Sequence, residues 1–61
     1  MTIYYLYFVG PTGRFAAREH FEAPDDAGAI AAAERRGDGR AMELWEGPRR
    51  VRTFPRKSAD R

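Results

Sequence analysis

From Ile3 to Val9 the chain reads Ile-Tyr-Tyr-Leu-Tyr-Phe-Val, apolar or aromatic at every position and so on both faces of an alternating backbone. A strand with no polar face belongs in the middle of a sheet that is covered on both sides. Gly10-Pro11-Thr12-Gly13 follows, with Pro at the first central position and Gly on either flank, which predicts a turn and hence a hairpin. Beyond it, Arg14 to Ala23 alternates, with Phe15, Ala17, Phe21 and Ala23 on one side and Arg14, Ala16, Arg18, His20 and Glu22 on the other. That is the pattern of a half-buried strand.

Pro24-Asp25-Asp26 predicts a helix start, with Ala23 or Asp25 as the cap, because carboxylates there meet unpaired backbone N–H groups and the positive end of the helix dipole. The Ala-rich run to Arg36 ends in two cations and meets Gly37-Asp38-Gly39, where a left-handed cap is easily formed. Ile30 is its one large apolar residue, so the buried face is expected to be methyl groups at Ala27, Ala31 and Ala33 beside it. Arg40 to Glu46 then predicts a third strand, Gly47-Pro48 a turn and Arg49 to Phe54 a fourth strand, closed by Pro55.

The order is therefore ββαββ, an α+β fold. A helix crossing one face returns the third strand beside the first, which predicts a four-stranded antiparallel sheet in the order 2-1-3-4 with one helix packed on one face; the order 2-1-4-3 would also centre the first strand. Residues 1–54 form a single domain, and 55–61 a basic tail expected to be disordered.

Turn geometry proposes a register. If Gly10 faces Gly13, Phe8 opposes Phe15, Leu6 opposes Ala17 and Tyr4 opposes Glu19; if Glu46 faces Arg49, Leu44 opposes Val51 and Met42 opposes Thr53. Those residues make the helix-facing core. The opposite face then carries Ile3, Tyr5, Tyr7, Val9, Ala16 and Trp45 among Arg14, Arg18, His20, Glu43, Arg50 and Arg52, with Phe54 near its edge. One helix cannot cover this face as well, and an apolar patch of Tyr, Trp and Arg is the composition of an interaction surface.

Composition sharpens that expectation. The single core of a 61-residue chain supplies only roughly 3 to 5 kcal/mol, and domains this small often lean on a disulfide, a metal or a partner chain. With no Cys and a single His, neither a disulfide nor a metal ligand set can form, so a partner chain is the expected support. The net charge of +2 divides unevenly: residues 1–48 hold five Arg against eight acids, or −3, and residues 49–61 hold six bases against Asp60, or +5. Such a tail can seek phosphate. However, ten Arg against one Lys, beside ten Ala, is the usage that GC-rich codons produce, which weakens the tail as a sign of nucleic acid. The apolar start lacks a basic n-region and is too short for a membrane span, so the expected setting is the cytoplasm, away from membranes.

Catalysis finds no support. On a strand only Glu22, not Glu19, shares a side with His20, and Thr2, Thr12, Thr53 and Ser58 have no evident base. Gly10 to Arg14 resembles a phosphate loop but lacks the Gly-Lys-Ser/Thr ending and leads into a strand. No catalytic residue and no cofactor are expected. The reading is a non-enzymatic protein–protein interaction module, a homodimer or a small subunit of a larger assembly, acting through Ile3, Tyr5, Tyr7, Val9, Trp45, Arg18, Arg50 and Arg52. The alternative is RNA or single-stranded DNA held by the same face and the basic tail.

Tyr4 to Phe8, Gly10 to Arg14, Phe21 to Ala27, Asp38 to Trp45 and Arg49 to Val51 together resemble a group of short uncharacterised bacterial ββαββ proteins. The resemblance runs to about Phe54 and rests on turns, caps and sheet residues. It implies a small bacterial α+β domain and carries over no catalytic residue. Gly28 departs from the group's Ala-rich helix and lowers helix propensity there.

Overall fold

A computed structural model describes residues 1–56 of the chain. Strands β1 (Thr2–Val9) and β2 (Phe15–Ala23) are followed by helix α1 (Asp26–Arg36), then β3 (Ala41–Glu46) and β4 (Arg49–Phe54). The four strands form one antiparallel sheet in the order β2-β1-β3-β4, the expected 2-1-3-4. The expected disordered tail lies, from Lys57 on, outside the described residues.

Asp25 is the helix cap: its backbone is extended and its Oδ1 accepts from the Gly28 N–H at 2.8 Å. At the other end the helix stops at Gly37-Asp38-Gly39, as expected, but the cap residue Gly37 is not itself left-handed. Gly37 is extended at φ −67° and donates to the Glu34 carbonyl, and the positive φ falls instead at Gly39. Beneath the helix lie Tyr4, Leu6 and Phe8 of β1, Phe21 and Ala23 of β2, Met42 and Leu44 of β3, and Phe54 of β4. The helix contributes Ala29 and Ala33, with Ile30 and Ala32 partly buried; Ala27 and Ala31, expected inside, are exposed. Asp26 sets this rotation. It accepts a 2.8 Å hydrogen bond from the hydroxyl of buried Tyr4 and pairs with Arg49 at 3.1 Å, which turns the row Asp26, Ala29, Ala33 toward the sheet.

Both hairpins depart from the expected register, for different reasons. The Gly13 N–H donates to the Gly10 carbonyl, as the turn predicts, but Gly13 sits at φ 85° and the Gly10 N–H donates to the Arg14 carbonyl. This is a three-residue hairpin loop with Gly at the left-handed position, so Gly10 faces Arg14 and Phe15 falls opposite Val9. A second irregularity, at Ala16, restores the parity, and Phe8 opposes Ala17, Leu6 opposes Glu19 and Tyr4 opposes Phe21. The core face of β2 is thus kept beyond Ala16, and Phe15 alone changes sides.

In the second hairpin Glu46 does face Arg49. Gly47 has φ 60° and Pro48 requires a negative φ, which fits a tight turn with Gly first. A bulge at Val51 then shifts the rest: Leu44 pairs with Arg52, Glu43 with Thr53 and Met42 with Phe54. Phe54, expected near the open edge, is therefore a core residue, and Thr53, expected under the helix, lies with Glu43 on the other face.

Candidate interaction surface

The helix covers one face of the sheet, and no element of the described chain lies across the other. Cross-strand pairing arranges this open face in rows. The first joins His20 of β2, Tyr5 of β1, Trp45 of β3 and Arg50 of β4; the second joins Arg18, Tyr7, Glu43 and Thr53; the third joins Phe15, Val9 and Ala41. Ile3 stands beyond the first row, paired with Glu22. β1 supplies the spine because every residue from Ile3 to Val9 is apolar or aromatic: the even positions Tyr4, Leu6 and Phe8 fill the core, and the odd positions Ile3 to Val9 have no helix to meet.

Side chains on this face are ordered by their neighbours. Tyr7 and Phe15 stack with ring centroids 4.8 Å apart, and Tyr5 leans on His20 at 6.0 Å. The Arg18 guanidinium lies 5.6 Å from the centre of the Tyr5 ring, and that of Arg50 lies 6.0 Å from Trp45. Trp45 Nε1 donates to Glu43 Oε1 at 3.0 Å. Tyr5, Tyr7, Val9 and Trp45 are partly buried, and Ile3 and Phe15 remain 47% and 56% exposed.

Of the residues expected on the surface, Ile3, Tyr5, Tyr7, Val9, Trp45, Arg18 and Arg50 are brought together here. Arg52 is not. It pairs with core-facing Leu44 and its guanidinium lies 5.7 Å from the Phe54 ring, on the helix side. Phe15 joins the surface unexpectedly; the sign of it in the sequence is Gly13, which closes a three-residue loop and moves Phe15 by one position.

The charges divide by face. The ion pairs among the described residues are Arg36–Glu19, Arg40–Asp38, Arg49–Asp26 and Arg49–Glu46, all on the helix side or in loops. Arg49 holds the Asp26 carboxyl below its ordinary range, helped by the Tyr4 hydroxyl, and burial followed by that hydrogen bond pushes the Tyr4 hydroxyl up. On the open face, Arg18, Arg50, Glu22 and Glu43 have no partner of opposite charge among the described residues.

Elsewhere, a cleft of about 390 Å³ lies between the end of α1 and the β3–β4 hairpin, with Met42, Phe54 and Pro55 as its apolar lining and Glu34 and Arg40 as its charged lining. Arg40 is held there by Asp38 and by the Phe8 ring, 4.8 Å away. Among the described residues no three His, Cys, Asp or Glu side chains converge as a metal site would require, and no helix is long and apolar enough to cross a membrane. Comparison with protein-family models, with curated proteins and with solved structures finds no match for this chain.

Proposed function

We propose that this chain acts without chemistry of its own, as a protein-association module whose contact surface is the open sheet face. The observation that carries the reading is the patch of Tyr5, Tyr7, Trp45, Ile3 and Phe15, lying across β1 and its neighbours with nothing from the described chain over it. Aromatic and Arg side chains of this kind are the anchors of protein interfaces, and covering them enlarges a core that is small for independent stability. A cytoplasmic setting in a bacterium fits a cysteine-free chain, since an oxidising compartment would favour a disulfide in so small a domain.

Sedimentation over a wide concentration range, at low and high salt, with absorbance at 260 and 280 nm, tests the reading. A salt-resistant assembly that is free of nucleic acid and is dissociated by Trp45→Ala is the expected result. An assembly that Trp45→Ala leaves unchanged would overturn it. One observation favours a second reading: Arg18 and Arg50 stand beside aromatic rings without carboxylate partners among the described residues, as in a surface that stacks bases and grips phosphates. Under that reading the chain is a monomer that binds a single-stranded oligonucleotide at low salt and releases it at high salt, with the salt slope reduced by Arg50→Ala.

A further inference from the structure

We infer that the occupant of the open face is a second copy of this chain, laid face to face about a two-fold axis that runs along β1, so that β2 of each protomer lies over β3 of the other. The inference rests on the association reading above and goes beyond it by naming the partner and the register.

The argument is complementarity within each row. An axis along β1 lays every cross-strand row on the same row of the second copy, reversed. Arg18 then lies over Glu43 of the second copy, and Glu43 over its Arg18, so the two unpaired charges of the row neutralise each other twice. In the next row Phe15, an exposed ring, lies over Ala41, the row's smallest member, and Val9 meets Val9. Tyr5 and Tyr7 lie on the axis and meet their own copies. Off the axis a cation meets an anion and Phe15 meets Ala41, and on it each residue meets its own copy, as a self-complementary two-fold interface requires.

Other axes lose this match. An axis in the sheet plane but across the strands lays β2 on β2 and β4 on β4; set through the first row it places Arg50 on Arg50, and set through the second it places Arg18 on Arg18 and Glu43 on Glu43. An axis midway between β1 and β3 sets His20 against Arg50 and leaves Arg18 over Thr53, again without an anion. Packed sheets lie about 10 Å apart and are turned by about 30°. At a strand spacing of about 4.8 Å that turn moves β2 and β3 by only about 2.4 Å along the axis, within the reach of Arg and Glu side chains.

The experiment exploits the symmetry. Arg18→Glu alone sets like charges together twice across the interface, and so does Glu43→Arg alone; a heterodimer of the two variants has opposite charges in both pairs, one as in the unmodified chain and one with the charges exchanged. By sedimentation and by Trp45 fluorescence, each variant alone should self-associate at least roughly ten-fold more weakly than the unmodified chain. The equimolar mixture should return to within about three-fold of it. Arg18→Ala and Glu43→Gln, the latter keeping an oxygen for the Trp45 Nε1–H, form a milder cycle if a reversal disturbs folding. In that cycle the effect of Arg18→Ala should vanish in the Glu43→Gln background. If Trp45→Ala dissociates the assembly while the reversals do nothing, or the mixture is not restored, the register is wrong and the association reading stands. If Trp45→Ala has no effect on the assembly, the association reading falls and takes the register with it. A wild-type chain that stays monomeric at millimolar concentration overturns the second copy as the occupant.

Discussion

Leu44 and Trp45 are adjacent on β3 and point to opposite faces, so truncating each in turn asks which face is the core. Leu44 has no exposed surface and packs opposite Leu6 across the β1–β3 ladder. Leu-to-Ala substitutions at enclosed sites cost about 2.7–5.0 kcal/mol, and the hydrogen-bonded strands on both sides of Leu44 resist collapse into the cavity, which places the cost near 4 kcal/mol. A core of this size supplies roughly 3 to 5 kcal/mol in all, so Leu44→Ala should leave the chain about half unfolded or worse at 25 °C. Trp45→Ala removes a rim-type contact with Arg50 and a hydrogen bond to Glu43, about 1 kcal/mol together. At 4 to 8 °C per kcal/mol for a domain of this size, the Tm of the monomer should fall by about 4–8 °C for Trp45→Ala and by at least about 16 °C for Leu44→Ala. The assay is thermal and urea unfolding followed by far-UV circular dichroism, at a concentration where the unmodified chain is monomeric. Cooperative unfolding retained in Leu44→Ala and lost in Trp45→Ala would mean that the two faces are interchanged, and the open-face argument would fail with them.

Asp26 contributes stability that is fully present above the ordinary carboxylate range and is lost as pH falls through its lowered pKa; Asp26→Asn should therefore be less stable at neutral pH and show a flatter decline in Tm toward about pH 2. Parallel profiles would show that the bonds to Arg49 and Tyr4 do not favour the charged form. Asp25→Ala removes the cap on Gly28 and should cost about 1 kcal/mol, read in urea as a shifted midpoint at constant slope. Phe15→Ala loses the stack on Tyr7 and should lower monomer stability by less than about 1.5 kcal/mol while weakening association; an unfolded variant would return Phe15 to the core.

The strand order, the helix and the centrality of β1 were legible because each depends on residue type averaged over several positions. Ile3 to Val9 can only be a central strand, and Gly-Pro pairs with flanking alternation mark the turns wherever the register falls. What could not be read depended on single residues. The extra position at Val51 sends Arg52 and Phe54 to the helix side, and Val51 carries no glycine or proline to announce a bulge. The slip at Gly13 was visible in principle, but its correction at Ala16 was not, since Ala is acceptable on either face of a strand. The helix rotation was hidden in the same way. In a run of alanines the hydrophobic pattern has almost no direction, and a polar residue, Asp26, chose the face by bonding Tyr4, 22 residues earlier in the sequence.

The order β2-β1-β3-β4 also governs how the chain can assemble itself. Each hairpin is local, but neither encloses a core alone: Leu6 and Leu44 shield one another only when β1 meets β3, joining the two halves of the molecule. That ladder closes a long loop from Val9 to Ala41, with α1 inside it. Loop closure of this length costs about 3 kcal/mol before any contact is rewarded. Folding is therefore completed by one distant meeting: a fragment ending before Ala41 can hold α1 against β2, but it leaves Leu6 without Leu44 beside it.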